Sequence, residues 1–144
     1  MAGKKTKMKV KIKKLNDDAV IPSYSKSGDA GMDLTAVNVT SDDYGYLTYH
    51  TGLAIEIPPW HVGLLFPRSS VYKTGQRLTN CVGVIDSGYR GEVMMKYSVG
   101  GDSYQIGDRV GQLIIMPYPR IDFHQVHELT PTERGSGRYG STGR

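Results

Sequence analysis

The sequence lacks the residues that stabilise small secreted proteins or build cysteine metal sites. Its 144 residues include one cysteine, Cys81, which excludes an intrachain disulfide and a cysteine zinc cluster. No apolar run reaches the roughly 20 residues that a membrane-spanning helix needs. No apolar stretch follows the lysine-rich start, as it would in a secretory signal. These absences predict a cytoplasmic protein without a membrane partner.

Neither sign of charge is in large excess. The chain has 18 Lys+Arg and 14 Asp+Glu, so its formal net charge is 18 − 14 = +4, and 38% of its residues are hydrophobic. This balance is sufficient for a buried core and untypical of a disordered chain. At this length we expect a single domain.

Glycine is abundant in this sequence, which disfavours a helical bundle. It supplies 18 of 144 residues, about an eighth of the chain, against roughly 7% on average. Short segments of strand-forming residues alternate with turn signals, and no βαβ pattern is present. We therefore predict an all-β sandwich or jelly roll, with a single short helix over 69–75. The predicted strands are 31–37, 46–50, 52–57, 62–66, 82–85, 92–98, 112–116 and 123–129.

Seven lysines lie within the first 14 residues. Met8, Val10 and Ile12 alternate with lysines there, which predicts an outer strand with one solvated face. Lysine on an outer strand also opposes edge-to-edge pairing. Nucleic-acid binding through these lysines is the alternative, and we disfavour it.

The segment 130–144 differs from the rest because it contains no aliphatic residue. Gly135, Gly137 and Gly140 fit the spacing G-x-G-x-x-G, but no strand precedes them and no helix can follow, so a dinucleotide fingerprint is excluded. Glycines, hydroxyls and arginines together suit a flexible cradle for an anion. A disordered solubilising tail is the alternative.

A carboxylate ends the apolar run before the turn Ser87-Gly88. At the end of a buried strand, Asp86 could serve as a general base or hold a metal through water. It could equally form an Asx turn in a hairpin.

Other polar residues follow or interrupt apolar segments. Arg68 and the next two serines follow the strand 62–66 and could bind phosphate. Asp33 lies in a small apolar segment and needs a partner. Cys81 is predicted to be buried. His124 and His127 would point to opposite faces of a strand and so would not share a metal.

Taken together and in order, five segments resemble the five motifs of the homotrimeric dUTPases. One such motif alone is weak evidence, but five in sequence over residues 30–143 are specific. The segments are Ala30–Leu34, Pro67–Ser70, Asn80–Gly91, Gly107–Gln112 and Arg134–Gly143.

The resemblance implies a fold and a reaction. The fold is a jelly-roll or β-clip-like barrel of residues 1–129, with residues 130–144 as a flexible arm that closes over the triphosphate. It implies a homotrimer with three active sites, each built from all three subunits. The reaction is dUTP + water → dUMP + pyrophosphate, which limits uracil in DNA and supplies dUMP for thymidylate synthesis. Mg²⁺ is held by the triphosphate and waters, with no direct protein ligand.

The resemblance also implies roles for individual residues. Asp86 matches the base that activates water to attack the α-phosphorus, which is sensible chemistry for a carboxylate. Tyr89 matches the tyrosine that leaves no room for a 2′-hydroxyl, and Asn80 matches the side chain that binds uracil. Asp33 matches an acid that supports the metal and phosphate region indirectly. The other implied substrate-binding residues are Arg68, Ser69, Ser70, Gly83, Val84, Ile85, Met95, Lys96, Gln112, Arg134, Ser136, Gly137, Tyr139, Ser141 and Thr142.

The chain departs from the family pattern at a few positions. Gly88 replaces an acidic residue before the tyrosine of the third motif. In the fifth motif Arg138 replaces a glycine, and Tyr139 replaces the phenylalanine that stacks on the base. Ser70 stands where glycine is common. Two alternatives to a dUTPase are a related dCTP deaminase and a regulatory protein that uses the same scaffold to contact other proteins.

Overall fold

The computed structural model describes residues 7–143. Over this range the chain forms eight strands and one short 3₁₀ helix, Ser69–Lys73. The strands are β1 (Lys11–Lys14), β2 (Met32–Thr35), β3 (Asn38–Ser41), β4 (Leu47–Glu56), β5 (His61–Phe66), β6 (Gly83–Ile85), β7 (Glu92–Tyr97) and β8 (Arg109–Pro117).

The strands form two four-stranded antiparallel sheets. In the first sheet the long strand β4 pairs with β7 and also with β1 and β3. In the second sheet the order is β2-β8-β5-β6. Buried side chains of both sheets form one core, so the fold is an all-β jelly roll, as the sequence predicts.

Strand β7 shows why these residues form a half-buried sheet. Val93, Met95 and Tyr97 point into the core, whereas Met94 and Lys96 between them point outward. This period of two is the one a strand requires when one face is buried. The alternation places Met94 and Lys96 on the solvent side, beside the cavities described below.

Gln76, Tyr49, Tyr104 and Ser98 form a hydrogen-bond network within the fold, which we call the Gln76 network. The ring of Tyr49 packs edge-on against Tyr97 and Tyr104, with centroids 5.7 and 5.9 Å away. The buried amide of Gln76 donates to the Tyr49 hydroxyl and to the Ser98 carbonyl, both at 3.0 Å, and accepts the Tyr104 N–H at 3.0 Å. Burial raises the pKa of the Tyr49 hydroxyl, which therefore stays protonated and donates to the Tyr104 carbonyl at 3.1 Å.

Most predicted strands are present with small changes of boundary. The two predicted strands 46–50 and 52–57 are the single strand β4. Its pairing with β7 shifts register between His50 and Ala54, and Gly52 between them has φ +67°, so the glycine marks a bulge instead of a turn. Strand β3 was not predicted, because its residues Asn38–Ser41 carry little apolar pattern.

Two other predictions are wrong in the described chain. Residues 123–129 form no strand there, and Phe123 and Leu129 are 93% and 86% exposed. A strand needs a hydrogen-bonding neighbour, and within the described chain this segment has none. Cys81 is exposed and not buried, because the turn after Asn80 holds it at φ +61°, away from the core.

The lysine-rich start forms an outer strand over part of its length. Ile12 of β1 packs against the core while its lysine neighbours are exposed, as the alternation predicts. Lys4 and Lys5 lie outside the described residues. The predicted helix at 69–75 is the shorter 3₁₀ helix. Within residues 7–143 no helix has the length and apolarity needed to cross a membrane, and the cytoplasmic location stays a prediction.

The Gln76 network leads to a prediction about stability. We expect Gln76→Met to lower the free energy of unfolding by about 2 kcal/mol, because it leaves the half-buried Tyr104 N–H and Ser98 carbonyl without partners. Tyr49→Phe is the matched control, with an expected loss of about 1 kcal/mol. Urea denaturation at fixed protein concentration measures both. Equal losses in the two variants would contradict the role assigned to the Gln76 amide.

Candidate active site

Two adjoining cavities run along β6 and β7. The larger has a volume of about 520 Å³ and the smaller about 200 Å³. Leu65, Asn80, Gly83 and Met94 line both, so the cavities form one groove. The larger end of the groove is bordered by polar side chains of the first sheet, and the smaller end by the turn that follows β6.

The turn after β6 places three predicted site residues together. Asp86, Tyr89 and Asn80 all line the smaller cavity. The Tyr89 N–H donates to the Asp86 carbonyl at 3.1 Å and closes the turn. The Asp86 side chain is exposed directly after the buried Ile85. A carboxylate in this position is accessible to water and to a ligand in the groove.

The ring of Tyr89 is held from two sides. Its hydroxyl donates to the Glu92 carbonyl at 2.8 Å. A side chain at Gly91 would collide with the ring, since a Cβ there would lie 2.7 Å from the Tyr89 Cζ. The ring is therefore folded back over Gly91 and forms a wall of the smaller cavity.

Close packing sets the position of β6. A Cβ at Gly83 would lie 2.9 Å from the Cβ of Leu65 on β5, so glycine lets the two strands approach. Ile85 is buried, whereas Val84 between them is 64% exposed. The exposed Val84 lines the smaller cavity beside Asp86.

A second cluster lies around the start of β2. The Asp33 carboxylate pairs with Arg68 Nε at 3.2 Å and with an Arg109 terminal nitrogen at 3.4 Å. Arg68, Ser69 and Asp33 line a cavity of about 340 Å³ together with Gln112. The Gln112 amide donates to the Pro67 carbonyl at 2.9 Å and so holds the end of β5 where Arg68 begins. Asp29 also lines this cavity, so it holds a second carboxylate. We call Asp33, Arg68 and Arg109 the positive cluster, because two guanidiniums face one carboxylate in it, and guanidiniums suit phosphate.

The two clusters lie at opposite edges of the second sheet. Asp33 on β2 pairs with Gln112 on β8, and β6 pairs with β5 at the other edge. Asp86 lies three strands away from Asp33 across the sheet, at about 4.8 Å per strand, and four residues away along the strands, at about 3.3 Å per residue. These perpendicular displacements place the two backbone positions about 20 Å apart. Because Arg68 is paired with Asp33, its guanidinium lies at the edge away from Asp86.

The remaining predicted residues are placed less directly. The Met95 side chain is buried in the core and reaches only the wall of the larger cavity. Lys96 also lines that cavity and pairs with Asp42 at 3.3 Å. The N–H of Tyr46, donating to the Asp42 carboxyl at 3.0 Å, is the main cause that holds the pKa of that group below its ordinary value. Ser70 is half-buried in the 3₁₀ helix.

The C-terminal segment forms its own cavity of about 520 Å³. Arg134, Tyr139, Ser141 and Thr142 line it, and the Arg134 Nε donates to the Gly137 carbonyl at 3.2 Å. Ser136 is exposed, and Tyr139 is fully exposed. The segment lines neither of the two clusters described above.

The sequence motifs did not reveal some residues of the site. Arg109 lies within the fourth motif, but its pairing with Asp33 needs the β2–β8 register. Glu92 and His50 approach to 2.8 Å from strands far apart in sequence. No local signal could have identified either contact.

Within residues 7–143 no group of three or more His, Cys, Asp and Glu side chains is placed to hold a metal ion. His124 and His127 are both exposed. Two carboxylates line the cavity of the positive cluster: Asp33 is paired with two guanidiniums, and Asp29 accepts the Lys26 N–H at 2.8 Å. The guanidiniums of Arg68 and Arg109 suit the phosphate groups of a ligand that brings its own metal ion.

Comparisons with known proteins agree with the motifs. A profile of the dUTPase family matches residues 17–143. The deoxyuridine 5′-triphosphate nucleotidohydrolase of Clostridioides difficile is 37% identical over 139 residues, which cover 93% of this chain and 97% of the relative. That of Clostridium kluyveri is 37% identical over 141 residues, covering 94% and 99%.

Solved structures give the same result. The dUTPase of Staphylococcus bacteriophage 80alpha with dUpNHpp superposes with a TM-score of 0.81 at 26% identity, covering 94% of this chain and 99% of that one. A variant dUTPase of phage phi11 of S. aureus, which coordinates a structural Mg(II) ion, shares the fold at a TM-score of 0.70 and 24% identity, covering 84% and 98%. The profile, the relatives and the fold together establish that this chain belongs to the dUTPase family.

Proposed function

We propose that this chain hydrolyses dUTP to dUMP and pyrophosphate, with Asp86 as the general base. The observation that carries the proposal is the smaller cavity, which Asp86, Tyr89 and Asn80 line together. Family membership supports the reaction, and the alternative of a dCTP deaminase is not favoured by any relative described above.

Asp86 is suited to the water-activating step. Its carboxylate is exposed and stands at the end of β6, where a water can bind beside a ligand in the groove. The carboxylate accepts a proton from this water as the oxygen attacks the α-phosphorus in line, and pyrophosphate leaves. The proton passes from water to the Asp86 carboxylate.

Tyr89 and Asn80 account for the choice of substrate. The Tyr89 ring, fixed over Gly91, closes the space in which a ribose 2′-hydroxyl would lie. The Asn80 amide offers both a donor and an acceptor to the uracil edge. Val84, Ile85 and Gly83 supply neighbouring surface and backbone of the same strand.

The positive cluster binds the phosphate groups. Arg68 is oriented by Asp33, while Ser69 and Gln112 border the same cavity. Mg²⁺, held by the triphosphate and waters, would neutralise charge on the phosphate oxygens. Asp33 supports this region by positioning two guanidiniums.

We assign residues 1–129 to the jelly-roll core and 130–144 to an arm that closes over the triphosphate. The arm carries Arg134, Ser136, Ser141 and Thr142 as phosphate-binding groups, and Tyr139 as a ring that can stack on the base. Its full exposure leaves these groups free to bind substrate. Closure over the charged site would exclude water from it.

A homotrimer explains why the two clusters are separated. The backbone positions of Asp33 and Asp86 lie about 20 Å apart in one chain, so we assign the two clusters that act on one substrate to different subunits. The segment after β8 exposes apolar side chains that another subunit could cover. They are Ile121, Phe123, Val126 and Leu129.

The base makes the first functional prediction. With Mg²⁺ at neutral pH, we expect pyrophosphate release from dUTP and little from dTTP, dCTP or UTP. Asp86→Asn should lower kcat by about a thousandfold or more, because the amide cannot accept the proton. Retained activity in the folded variant would remove Asp86 as the base, and equal release from UTP would contradict the role of Tyr89.

The ion pairs of the positive cluster lead to a second functional prediction. We expect Asp33→Asn to lower kcat/KM for dUTP about tenfold, because Arg68 and Arg109 lose the charge that orients them. Steady-state kinetics measures the change. Lys11→Gln is the control, since it breaks the exposed Lys11–Glu56 pair at 3.5 Å outside the cluster and should leave kcat/KM unchanged. A similar loss in both variants would contradict a specific role for Asp33.

A further inference from the structure

The bulge in β4 exposes a backbone donor that a side chain satisfies. Register between β4 and β7 shifts between His50 and Ala54, so the ladder is interrupted around Gly52. The Gly52 N–H donates to Glu92 Oε2 at 2.8 Å. The Glu92 carboxylate therefore replaces the missing strand partner, and one of its two oxygens is fixed.

The second carboxylate oxygen is held by a histidine. His50 Nδ1 lies 2.8 Å from Glu92 Oε1, and the two side chains are 20% and 24% exposed. Because a carboxylate only accepts, Nδ1 carries the proton in this bond. His50 Nε2 lies 2.8 Å from the Thr40 hydroxyl, which donates to it when the imidazole is neutral. Three strands, β3, β4 and β7, are joined by this line of contacts.

Glu92 also holds Tyr89, whose ring forms a wall of the smaller cavity. Its backbone carbonyl accepts the Tyr89 hydroxyl at 2.8 Å. The carboxylate fixes Glu92 to β4, and the carbonyl fixes Tyr89 to Glu92, with only Arg90 and Gly91 between the two residues. Any shift of Glu92 is thereby passed to the tyrosine ring.

We propose that Glu92 and His50 are positioning residues that set the place of the Tyr89 ring and hence the discrimination between deoxyribose and ribose. The inference rests on the proposed role of Tyr89 in excluding the 2′-hydroxyl. His50 also borders the larger cavity, at the end of the groove away from Asp86. Its bonded contact with the Tyr89 support is the one to Glu92, so we place its effect on the ring there.

Two substitutions of His50 separate the contacts of its two ring nitrogens. In His50→Asn the side-chain amide lies where Nδ1 was and can still donate to Glu92. In His50→Gln the amide lies where Nε2 was, so it keeps Thr40 and loses Glu92. We expect the ratio of kcat/KM for dUTP over UTP to fall about tenfold in His50→Gln, about 1.4 kcal/mol, and to stay near the wild-type ratio in His50→Asn.

A merely structural role would lower stability and affect both substrates alike, leaving their ratio unchanged. Coupling to the ring is tested on the Tyr89→Phe background, which lacks the hydroxyl that contacts Glu92. There, His50→Gln should no longer change the ratio. Thermal unfolding of each variant shows that the folded enzyme is compared.

Two results would overturn the inference and differ in what else they remove. If wild type prefers dUTP over UTP but His50→Gln leaves that preference intact, the positioning role is wrong and the proposed function stands. If wild type hydrolyses both nucleotides equally, the role of Tyr89 fails and the positioning role fails with it.

Discussion

Strand β5 lies between β8 and β6, and this position fixes where the two clusters of candidate site residues lie. Through β8 this strand holds β2 and the Asp33–Arg68 pair at one edge of the sheet. Through β6 it holds Asp86 at the other edge. Hydrogen bonds of the two ladders fix the registers, so neither cluster can slide toward the other. The separation of Asp86 from Arg68 is therefore a property of the fold.

Small residues at a few places convert this scaffold into a groove. Gly83 lets β6 approach Leu65, which brings the turn at Asp86 against the body of the sheet. Gly91 leaves room for the Tyr89 ring, and the Gly52 bulge turns an N–H toward Glu92. Each of these glycines relieves a steric restriction that another residue would impose. The shape of the groove therefore depends on these glycines as well as on the larger side chains that line it.

Sequence reasoning predicted the elements whose signal is local. The alternation in β7 and the motif that ends at Asp86 needed only neighbouring residues. It failed where a partner decides the outcome: 123–129 has strand-forming residues but no neighbour, and Cys81 sits in a turn that turns it outward. The Asp33–Arg109 and His50–Glu92 contacts depend on strand register, which motifs do not encode. The roles of the motif residues came from family resemblance, and the structure adds which of them share a cavity.

Mixing two inactive variants tests most directly whether the two clusters of one site come from different subunits. Asp86→Asn and Arg68→Gln would each be inactive alone, and would be unfolded and refolded together in equal amounts. If each site takes its base and its arginine from different copies, random trimers regain about a quarter of wild-type dUTP hydrolysis. If one chain supplies both groups to the same site, every site contains a defect and no activity returns. That second result would contradict the account.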